Sequence, residues 1–323
     1  MADTRVYAGI DIGGTNIKFG LVDEKGKVLY KEQRPTMADK GATPLMHLVT
    51  NISERLLLHA AEEDLHPRGL GVGTPGAVDF RTGKVIGPCP NIAGWQGMEI
   101  GQNLRERLNT PVFVDNDVNA MAMAEYRFGA AMGHKSVVCV TVGTGVGGAI
   151  IIDGKLWRGS NSSAGELGHM TIKYDAPATN TSMPGSIESF CSSQALLNRV
   201  RNAMKKEITP AFQEVLEGGI ENLSIKKVFA ALKKGDEVAR NAVEETARCL
   251  GVGLAGIVNL INPEIVVIGG GIVDGGGGFV EAVTAEIKRT ALDSAVAKLR
   301  VVKAALGNDA GFIGAGLLVE TEK

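Results

Sequence analysis

The sequence predicts an α/β protein built from two similar halves. A short apolar strand, a glycine-rich turn and a second strand occur near the start, over residues 6–22, and again over residues 136–153. Each copy precedes segments with the helical spacing of apolar residues and short β-branched segments typical of strands. A duplication of this length predicts paired α/β lobes that face each other.

The first half begins with a predicted hairpin. Val6 to Asp11 and Ile17 to Val22 are apolar strands, and the turn Gly13-Gly14-Thr15-Asn16 joins them. A helix is predicted from Pro44 to Glu63, where apolar residues recur every three or four positions. The other predicted elements of this half are strands over 27–32, 70–73 and 111–115 and a helix over 118–128.

The second half restarts the same pattern. A β-branched strand over 136–142 runs through the turn Gly143 to Gly148 into a strand over 149–153. Helices are predicted over 193–205, 224–234 and 236–261. A strand over 265–268 then leads into Gly269-Gly270-Gly271, and a terminal helix is predicted over 311–320.

Composition argues against two classes of partner. The 323 residues are 44% hydrophobic and 22% charged, which is enough to bury a core. The net charge of −2 and the pI near 6.3 provide no basic field for nucleic acid or anionic lipid. No apolar run approaches the roughly 20 residues that span a bilayer, and we identify no signal peptide. We expect neither nucleic acid nor a membrane as a partner.

The cysteines indicate a reducing compartment. Cys89, Cys139, Cys191 and Cys249 are far apart and include no CxxC pair. This spacing is typical of buried thiols and not of a disulfide framework. The sequence therefore predicts a cytoplasmic protein.

The glycine turns favour phosphate binding. Gly143, Gly145 and Gly148 have the spacing of a dinucleotide-binding turn, but a predicted strand follows them where that motif requires a helix. No P-loop motif occurs. Successive N–H groups in glycine turns nevertheless form concavities that bind anions. Two matched turns and a third glycine cluster after Ile268 favour nucleotide binding over simple β-turns.

Six motifs occur in order along the chain. They are Asp11-Ile12-Gly13-Gly14-Thr15-Asn16, Gly71-Val72-Gly73-Thr74-Pro75-Gly76, Asn116-Asp117, Thr141-Val142-Gly143-Thr144-Gly145-Val146-Gly147-Gly148, Gly165-Glu166-Leu167-Gly168-His169 and Ile268-Gly269-Gly270-Gly271. In this order they resemble the motifs of the ROK family of sugar kinases, and within it those of the bacterial ATP-dependent glucokinases in particular. The similarity covers about residues 6 to 316.

The resemblance implies a fold and a domain organisation. Members of the family have the duplicated actin-like ATPase, or ribonuclease H-like, fold, with two lobes around a cleft. We expect a smaller N-terminal lobe formed by residues 1–118 and 308–323 and a larger lobe formed by residues 119–307. Family members are commonly dimers or tetramers, so a homo-oligomer, and specifically a dimer, is expected.

The resemblance also implies a catalytic role for Asp117, which follows a predicted strand at the start of a helix. A sugar hydroxyl that attacks the γ-phosphate of ATP must lose its proton, and the matching family residue is the general base that accepts it. Considered without the resemblance, an Asp at this position is more often the N-cap of the following helix.

The remaining site residues are transferred position by position from the resemblance. Asp11 would orient the Mg²⁺ that accompanies ATP, through water. The residues expected to contact the nucleotide are Gly13, Gly14, Thr15, Asn16, Gly143, Thr144, Gly145, Gly270 and Gly271. The residues expected to contact the sugar are Gly76, Asn91, Asn116, Glu166, His169 and Glu188. Trp95 is interpreted as a packing residue.

The chain departs from the family at a structural zinc site. Most members carry three cysteines after the histidine that matches His169, and here Thr179, Thr181 and Ser186 occupy those positions. Hydroxyl groups are poor zinc ligands, so no structural zinc is expected. A makeshift site from His169, Asp175 and Cys191 is the alternative. Without zinc, Thr179, Thr181, Ser186 and Pro184 would have to support the loop that positions Glu188.

The resemblance leaves three functions open. The first is phosphorylation of glucose to glucose 6-phosphate by ATP. The second is a kinase for N-acetylmannosamine, N-acetylglucosamine, mannose or fructose, because pocket shape decides between such sugars. Polyphosphate as the donor is a variant of either. The third is a sugar-responsive transcriptional regulator, which we disfavour because only about ten residues precede Asp11, too few for a DNA-binding domain.

Overall fold

The computed structural model describes residues 5–177, 183–205 and 207–321. The strands in chain order are β1 (Val6–Ile12), β2 (Asn16–Asp23), β3 (Val28–Pro35), β4 (Leu70–Thr74), β5 (Val78–Asp79), β6 (Lys84–Val85), β7 (Val112–Asn116), β8 (Val137–Val142), β9 (Val146–Ile152), β10 (Lys155–Leu156), β11 (Ile265–Gly269) and β12 (Arg300–Lys303). The α-helices are α1 (Ala42–Glu62), α2 (Ile100–Leu108), α3 (Asp117–Phe128), α4 (Ile187–Cys191), α5 (Ser193–Ala203), α6 (Pro210–Val215), α7 (Ile225–Lys233), α8 (Glu237–Ile261), α9 (Gly271–Asp274), α10 (Phe279–Thr290), α11 (Asp293–Val296) and α12 (Ala310–Leu317).

The first sheet has the strand order β3-β2-β1-β4-β7. Strands β1 and β2 form the predicted antiparallel hairpin, whereas β4 and β7 run parallel to β1. Strands β1 and β4 are buried along nearly their whole length, because α12 packs against both of them. The sequences of such central strands are nearly continuous apolar runs, as in Val6 to Ile12.

The second sheet repeats this topology. Its order is β10-β9-β8-β11-β12, so a hairpin partner again lies on one side of the first strand and parallel strands lie on the other. Strands β8 and β11 are almost completely buried and rich in valine and isoleucine. The matching order of the two sheets confirms the duplication predicted from the two glycine hairpins.

The chain divides into two compact units. The first comprises residues 1–134, 149–165 and 305–323, and the second comprises residues 135–148 and 166–304. We expected residues 119–134, 149–165 and 305–307 in the larger lobe, whereas they belong to the first unit. The physical reason is that α3 packs along α12 within the first unit. Ala120, Ala122 and Ala124 of α3 are small and fully buried, which allows this close packing.

Most predicted strands and helices are confirmed within a few residues. The sequence pattern did not predict the helices α2, α6, α9, α10 and α11 or the strands β5, β6, β10 and β12. Strand β12 is only half-buried and lacks a clean alternation, so its pattern carries little strand signal. Among the described residues, no helix is both long and apolar enough to cross a membrane.

Candidate active site

The candidate site in the first unit lies where three adjacent parallel strands end. Asp11 of β1 is paired with Gly73 of β4, and Thr74 of β4 is paired with Asn116 of β7. The turn after β1, the loop after β4 and the start of α3 therefore share one edge of the sheet. The carboxyl ends of parallel strands are where α/β proteins bind their ligands.

The turn between β1 and β2 presents backbone groups at its exposed tip. The N–H of Gly13 donates to the carbonyl of Asn16 at 3.1 Å and closes the turn. Thr36, directly after β3, anchors the turn, because its hydroxyl donates to the carbonyl of Gly13 at 2.6 Å. Gly14 and Thr15 are exposed beyond these bonds. The predicted nucleotide residues of the first unit thus form a fixed turn with an accessible tip.

Asp11 is a half-buried carboxylate at the end of β1. Burial raises its pKa from 3.8 to about 6, and the nearby Lys18 only partly opposes this effect. The carboxylate also packs directly against Gly311 in the first turn of α12, where any residue larger than glycine would overlap it. A desolvated carboxylate that lacks sufficient positive charge around it is suited to interact with a cation.

Asn116, and not Asp117, is the N-cap of α3. Its Oδ1 accepts from the N–H of Val118 at 2.9 Å and of Asn119 at 3.2 Å, and its Nδ2 donates to the carbonyl of Gly76 at 3.2 Å. Asp117 is the first helical residue, and its Oδ1 accepts from the N–H of Val118 at 2.9 Å. The capping interpretation therefore applies to the neighbouring asparagine. The bond to Gly76 links two predicted sugar residues.

The segment between β4 and α2 contains two of the predicted sugar residues, Gly76 and Asn91. Gly76 has a positive φ of 87°, and Asn91 lies in an exposed turn. Trp95 is completely buried, and its Nε1 donates to the hydroxyl of Thr74 at 2.9 Å, which confirms it as a packing residue. Cys89, which the sequence analysis did not connect to the site, is close enough to Asp117 to respond to its charge. Burial first and that charge second raise the pKa of the Cys89 thiol to about 11.

The second unit places its glycine turns in the same way. The turn between β8 and β9 is closed by a bond from the N–H of Gly143 to the carbonyl of Gly145 at 2.9 Å, and Thr144 is exposed at its tip. Gly270 follows the neighbouring parallel strand β11 with a φ of 99° and packs so closely on Val142 that a side chain would not fit. Gly271 then begins α9. Both predicted nucleotide segments of this unit therefore meet at one sheet edge.

Three predicted sugar residues of the second unit lie together. His169 Nε2 is 3.7 Å from the carboxylate of Glu166, and both side chains are partly exposed. Burial raises the pKa of Glu166, His169 opposes the shift, and the charge of Glu188 adds to it. Glu188 also accepts a hydrogen bond from the N–H of Val146 at 3.0 Å. Two carboxylates and an imidazole thus form a set able to accept and donate hydrogen bonds to sugar hydroxyls.

Backbone pairing supports the loop that carries Glu188. Thr171 and Ser186 form an antiparallel bridge, and the N–H groups of Ile172 and Ile187 donate across it to Gly185 and Met170. Ser186 is buried and caps α4, because its hydroxyl accepts from the N–H of Ser189 at 3.2 Å. This supports the predicted role of Ser186, whereas Thr179 and Thr181 lie outside the described residues.

The structure gives no support to a makeshift metal site. Among the described residues, which include His169, Asp175 and Cys191, no three His, Cys, Asp or Glu side chains are grouped as a metal ion would require. Cys191 is instead buried, with its thiol donating to the carbonyl of Thr246 at 3.6 Å, and burial raises its pKa. That thiol is a core group.

The sequence did not predict one polar network near Asp117. Asp115, at the end of β7, is almost fully buried and forms an ion pair of 2.7 Å with Arg158, a residue 43 positions later. The adjacency of Asp115 to Asn116-Asp117 was the only available clue. Nothing in the local pattern around Arg158 distinguishes it from a surface residue.

The glycine turns at the sheet edge of each unit and the repeated sheet topology define a class of protein before any relative is considered. Glycine hairpins at the edges of two mixed sheets with the same strand order are the arrangement of the duplicated actin-like ATPase fold. Residues 7–322 match the sequence model of the ROK family. The chain belongs to the ROK family, as the ordered motifs predicted.

Three comparisons describe its similarity to known proteins. It is 34% identical over 324 residues to a glucokinase from Halalkalibacterium halodurans, covering 99% of this chain and 96% of the relative. Its structure matches a ROK family glucokinase from Streptomyces griseus in complex with glucose and AMPPNP, with a TM-score of 0.83, 32% identity and 98% coverage of both chains. It is also 31% identical to a xylose repressor from Caldicellulosiruptor bescii, over 83% of this chain and 66% of the repressor.

Proposed function

We propose that this protein transfers the γ-phosphoryl group of ATP to the 6-hydroxyl of a hexose, with glucose as the preferred acceptor. The observation that carries the proposal is the division of roles at the start of α3, where Asn116 caps the helix and Asp117 follows it at the ligand-binding edge of the sheet. A carboxylate at that edge is suited to act as a general base.

Asp117 would accept the proton of the attacking hydroxyl. Phosphoryl transfer depends mostly on positioning and on charge stabilisation, and a placed base adds typically about 10²–10⁴ in rate. Asn116 contributes through position, because its bonds to Gly76, Val118 and Asn119 join the loop after β4 to the start of α3. Asp117 then sits on a backbone that is fixed from both sides.

The glycine turns supply the contacts to the phosphate groups. Backbone N–H groups near Gly14 and Thr15 in the first unit, and near Thr144 in the second, are exposed donors at fixed turns. Gly270 and Gly271 would lie against the adenosine. The site fits a magnesium ion at Asp11, because this carboxylate is desolvated and only Lys18 partly compensates its charge. When bound with ATP, Mg²⁺ neutralises phosphate charge.

Each unit carries polar side chains suited to sugar hydroxyls. Glu166, His169 and Glu188 supply acceptors and an imidazole in the second unit, and Asn91, Asn116 and Gly76 supply polar groups in the first. A site that hydrogen-bonds each hydroxyl discriminates strongly against analogues that leave one of its polar groups unpaired. This recognition favours a hexose over an apolar acceptor.

The relatives support the same class of enzyme. The name of the Halalkalibacterium protein and the glucose and AMPPNP in the Streptomyces complex point to a hexokinase or glucokinase type of phosphotransferase with an alcohol group as acceptor. The choice of glucose over N-acetylmannosamine, N-acetylglucosamine, mannose or fructose is the finer part of the proposal.

A regulator is the second candidate, because a xylose repressor is 31% identical to this chain. The two functions make different demands on the site, since a sensor must bind sugar but need not accept its proton. Turnover therefore separates them.

The test is a coupled assay of ADP release with ATP, Mg²⁺ and a panel of hexoses, with the product position determined by ³¹P and ¹³C NMR. We expect glucose to give the highest kcat/KM and glucose 6-phosphate to be the product. Faster turnover of another sugar would overturn the glucose assignment. Sugar binding without turnover of any acceptor would favour the regulator.

A further inference from the structure

Two different interactions hold the Arg158 side chain in place, one with Asp115 and one with Phe80. Its Nε donates to Asp115 Oδ2 at 2.7 Å, and its guanidinium lies over the ring of Phe80 at 3.7 Å from the centroid. The Asp115 side chain is 2% exposed and that of Arg158 is 18% exposed. A planar guanidinium can donate to the carboxylate and stack on the ring at once, whereas a lysine ammonium would not reproduce the stacking.

The other oxygen of Asp115 holds the junction between β7 and α3, where Asp117 lies. Asp115 Oδ1 accepts from the N–H of Asn116 at 2.7 Å and from Nδ2 of Asn119 at 2.9 Å. Both residues flank Asp117, one before it and one on the first turn of α3. The carboxylate of Asp115 is therefore bonded to the backbone immediately before Asp117 and to the helix immediately after it.

Arg158 is itself fixed by the hairpin of β9 and β10. The N–H of Trp157 donates to the carbonyl of Ile150 at 2.7 Å, and the carbonyl of Arg158 accepts from the N–H of Ala164 at 3.1 Å. A backbone anchored on both sides places the guanidinium at a defined point. Arg158 is thus linked through Asp115 to the junction between β7 and α3, but it is not itself a residue of that junction.

The charge of Arg158 is required because Asp115 is buried. A buried carboxylate is strongly unfavourable unless a partner compensates its charge. Without the guanidinium, Asp115 would draw water or move toward solvent, and its bonds to Asn116 and Asn119 would move with it. Displacements of about 1 Å at a reacting group can lower a rate about 100-fold.

We propose that Arg158, acting through Asp115, is a positioning residue that sets the orientation of Asp117. The inference rests on the proposed function, because it assigns Arg158 to the orientation of the proposed base. It predicts a specific kinetic signature: loss of kcat with retained sugar affinity. A purely structural ion pair would lower stability and leave the turnover of the folded enzyme unchanged.

The test compares Arg158→Met, Arg158→Lys and the double variant Arg158→Met with Asp115→Asn. We measure kcat at saturating glucose and ATP, the Kd of glucose by calorimetry, and Tm. We expect kcat to fall about 100-fold in Arg158→Met, with the glucose Kd changed less than about threefold, and only partial recovery in Arg158→Lys. In the double variant the uncompensated charge is gone, and an amide oxygen at position 115 can still accept from Asn116 and Asn119, so both Tm and kcat should partly recover.

Arg105→Met is the matched control. Arg105 donates to the carbonyls of Val112 and Thr82 at 2.8 and 2.6 Å and so anchors the opposite end of β7. This variant should lower Tm and leave kcat unchanged. If kcat of Arg158→Met matches wild type, or stays equally low in the double variant while Tm recovers, the positioning role is wrong. If the wild type phosphorylates no hexose, the proposed function fails, and the inference fails with it.

Discussion

The carboxylate of Glu188 accepts a hydrogen bond from the backbone N–H of Val146 at 3.0 Å. Glu188 is a predicted sugar residue, and Val146 directly follows the glycine turn predicted to bind phosphate. In the second unit, one hydrogen bond therefore joins a predicted sugar residue to the end of the turn predicted to bind phosphate. The contact also explains why residue 145 is glycine, since a Cβ there would lie 2.5 Å from Glu188 Oε2.

Gly145→Ala should therefore weaken sugar binding by displacing Glu188. A lost hydrogen bond to a charged group corresponds to roughly a tenfold or larger rise in Kd. Calorimetric titration with glucose in the absence of nucleotide measures this directly. Gly143→Ala is the matched comparison, because a Cβ there meets nothing within 4 Å, and its glucose Kd should equal that of wild type. Equal Kd values for all three proteins would contradict the coupling.

Gly311→Ala should impair the enzyme through Asp11. The added methyl group would overlap the Asp11 carboxylate, and α12 has no room to withdraw because it packs on α3 and β1. We expect a higher KM for ATP and a lower kcat, measured by initial rates. Gly256→Ala on α8 is the control, since a Cβ there meets nothing and helix propensity should add up to about 1 kcal/mol of stability. Wild-type kinetics in Gly311→Ala would mean that Asp11 is not confined there.

Asp11 should destabilise the ligand-free protein at neutral pH. Its pKa is raised from 3.8 to about 6, so the folded state binds its proton more tightly than the unfolded state does, and stability falls as pH rises through that window. The cost above pH 6 is at most about 3 kcal/mol. Asp11→Asn should therefore unfold later than wild type in urea with EDTA above pH 6, and the difference should vanish below about pH 4. A constant difference across this range would rule out the linkage.

Glu125 should be a major source of stability in the first unit. It is completely buried, and its two oxygens accept from the N–H groups of Ala130, Ala305 and Leu306 at 2.8, 3.1 and 2.8 Å. Glu125→Gln turns an amide group toward these donors and should cost about 2–4 kcal/mol in the free energy of unfolding. Glu99→Gln, which removes an exposed partner of Lys84, should cost less than about 1 kcal/mol. Comparable losses in the two variants would show that the Glu125 bonds contribute little.

The sequence predicted the parts of the fold that depend on local pattern. The hairpins β1-β2 and β8-β9 were visible because apolar strands flank glycine turns, and α8 was visible because its apolar residues recur with helical spacing. Helix α2 was not visible, because it buries only Ile100, Gly101 and Leu104, and its other residues except Leu108 are polar. Burial of one short face leaves too little periodicity to recognise.

The sequence named the candidate site residues, but not how they are connected in the structure. Asn and Asp are both favourable caps, so the sequence did not decide which of Asn116 and Asp117 caps α3. The pairing of Asp115 with Arg158 depends on the tertiary arrangement of β7 and the β9-β10 hairpin, and no local pattern encodes it. The oligomeric state also remains a prediction, and light scattering after size exclusion would check the expected dimer.

The turnover number of Asp117→Asn tests the central claim most directly. Asparagine keeps the size of the side chain and removes the proton acceptor, so kcat with glucose and ATP should fall about 10²–10⁴-fold while the glucose Kd changes little. The exposed Asp39→Asn should match wild type in both quantities. A kcat for Asp117→Asn within a few fold of wild type, with glucose 6-phosphate still the product, would contradict the assignment of Asp117 as the base.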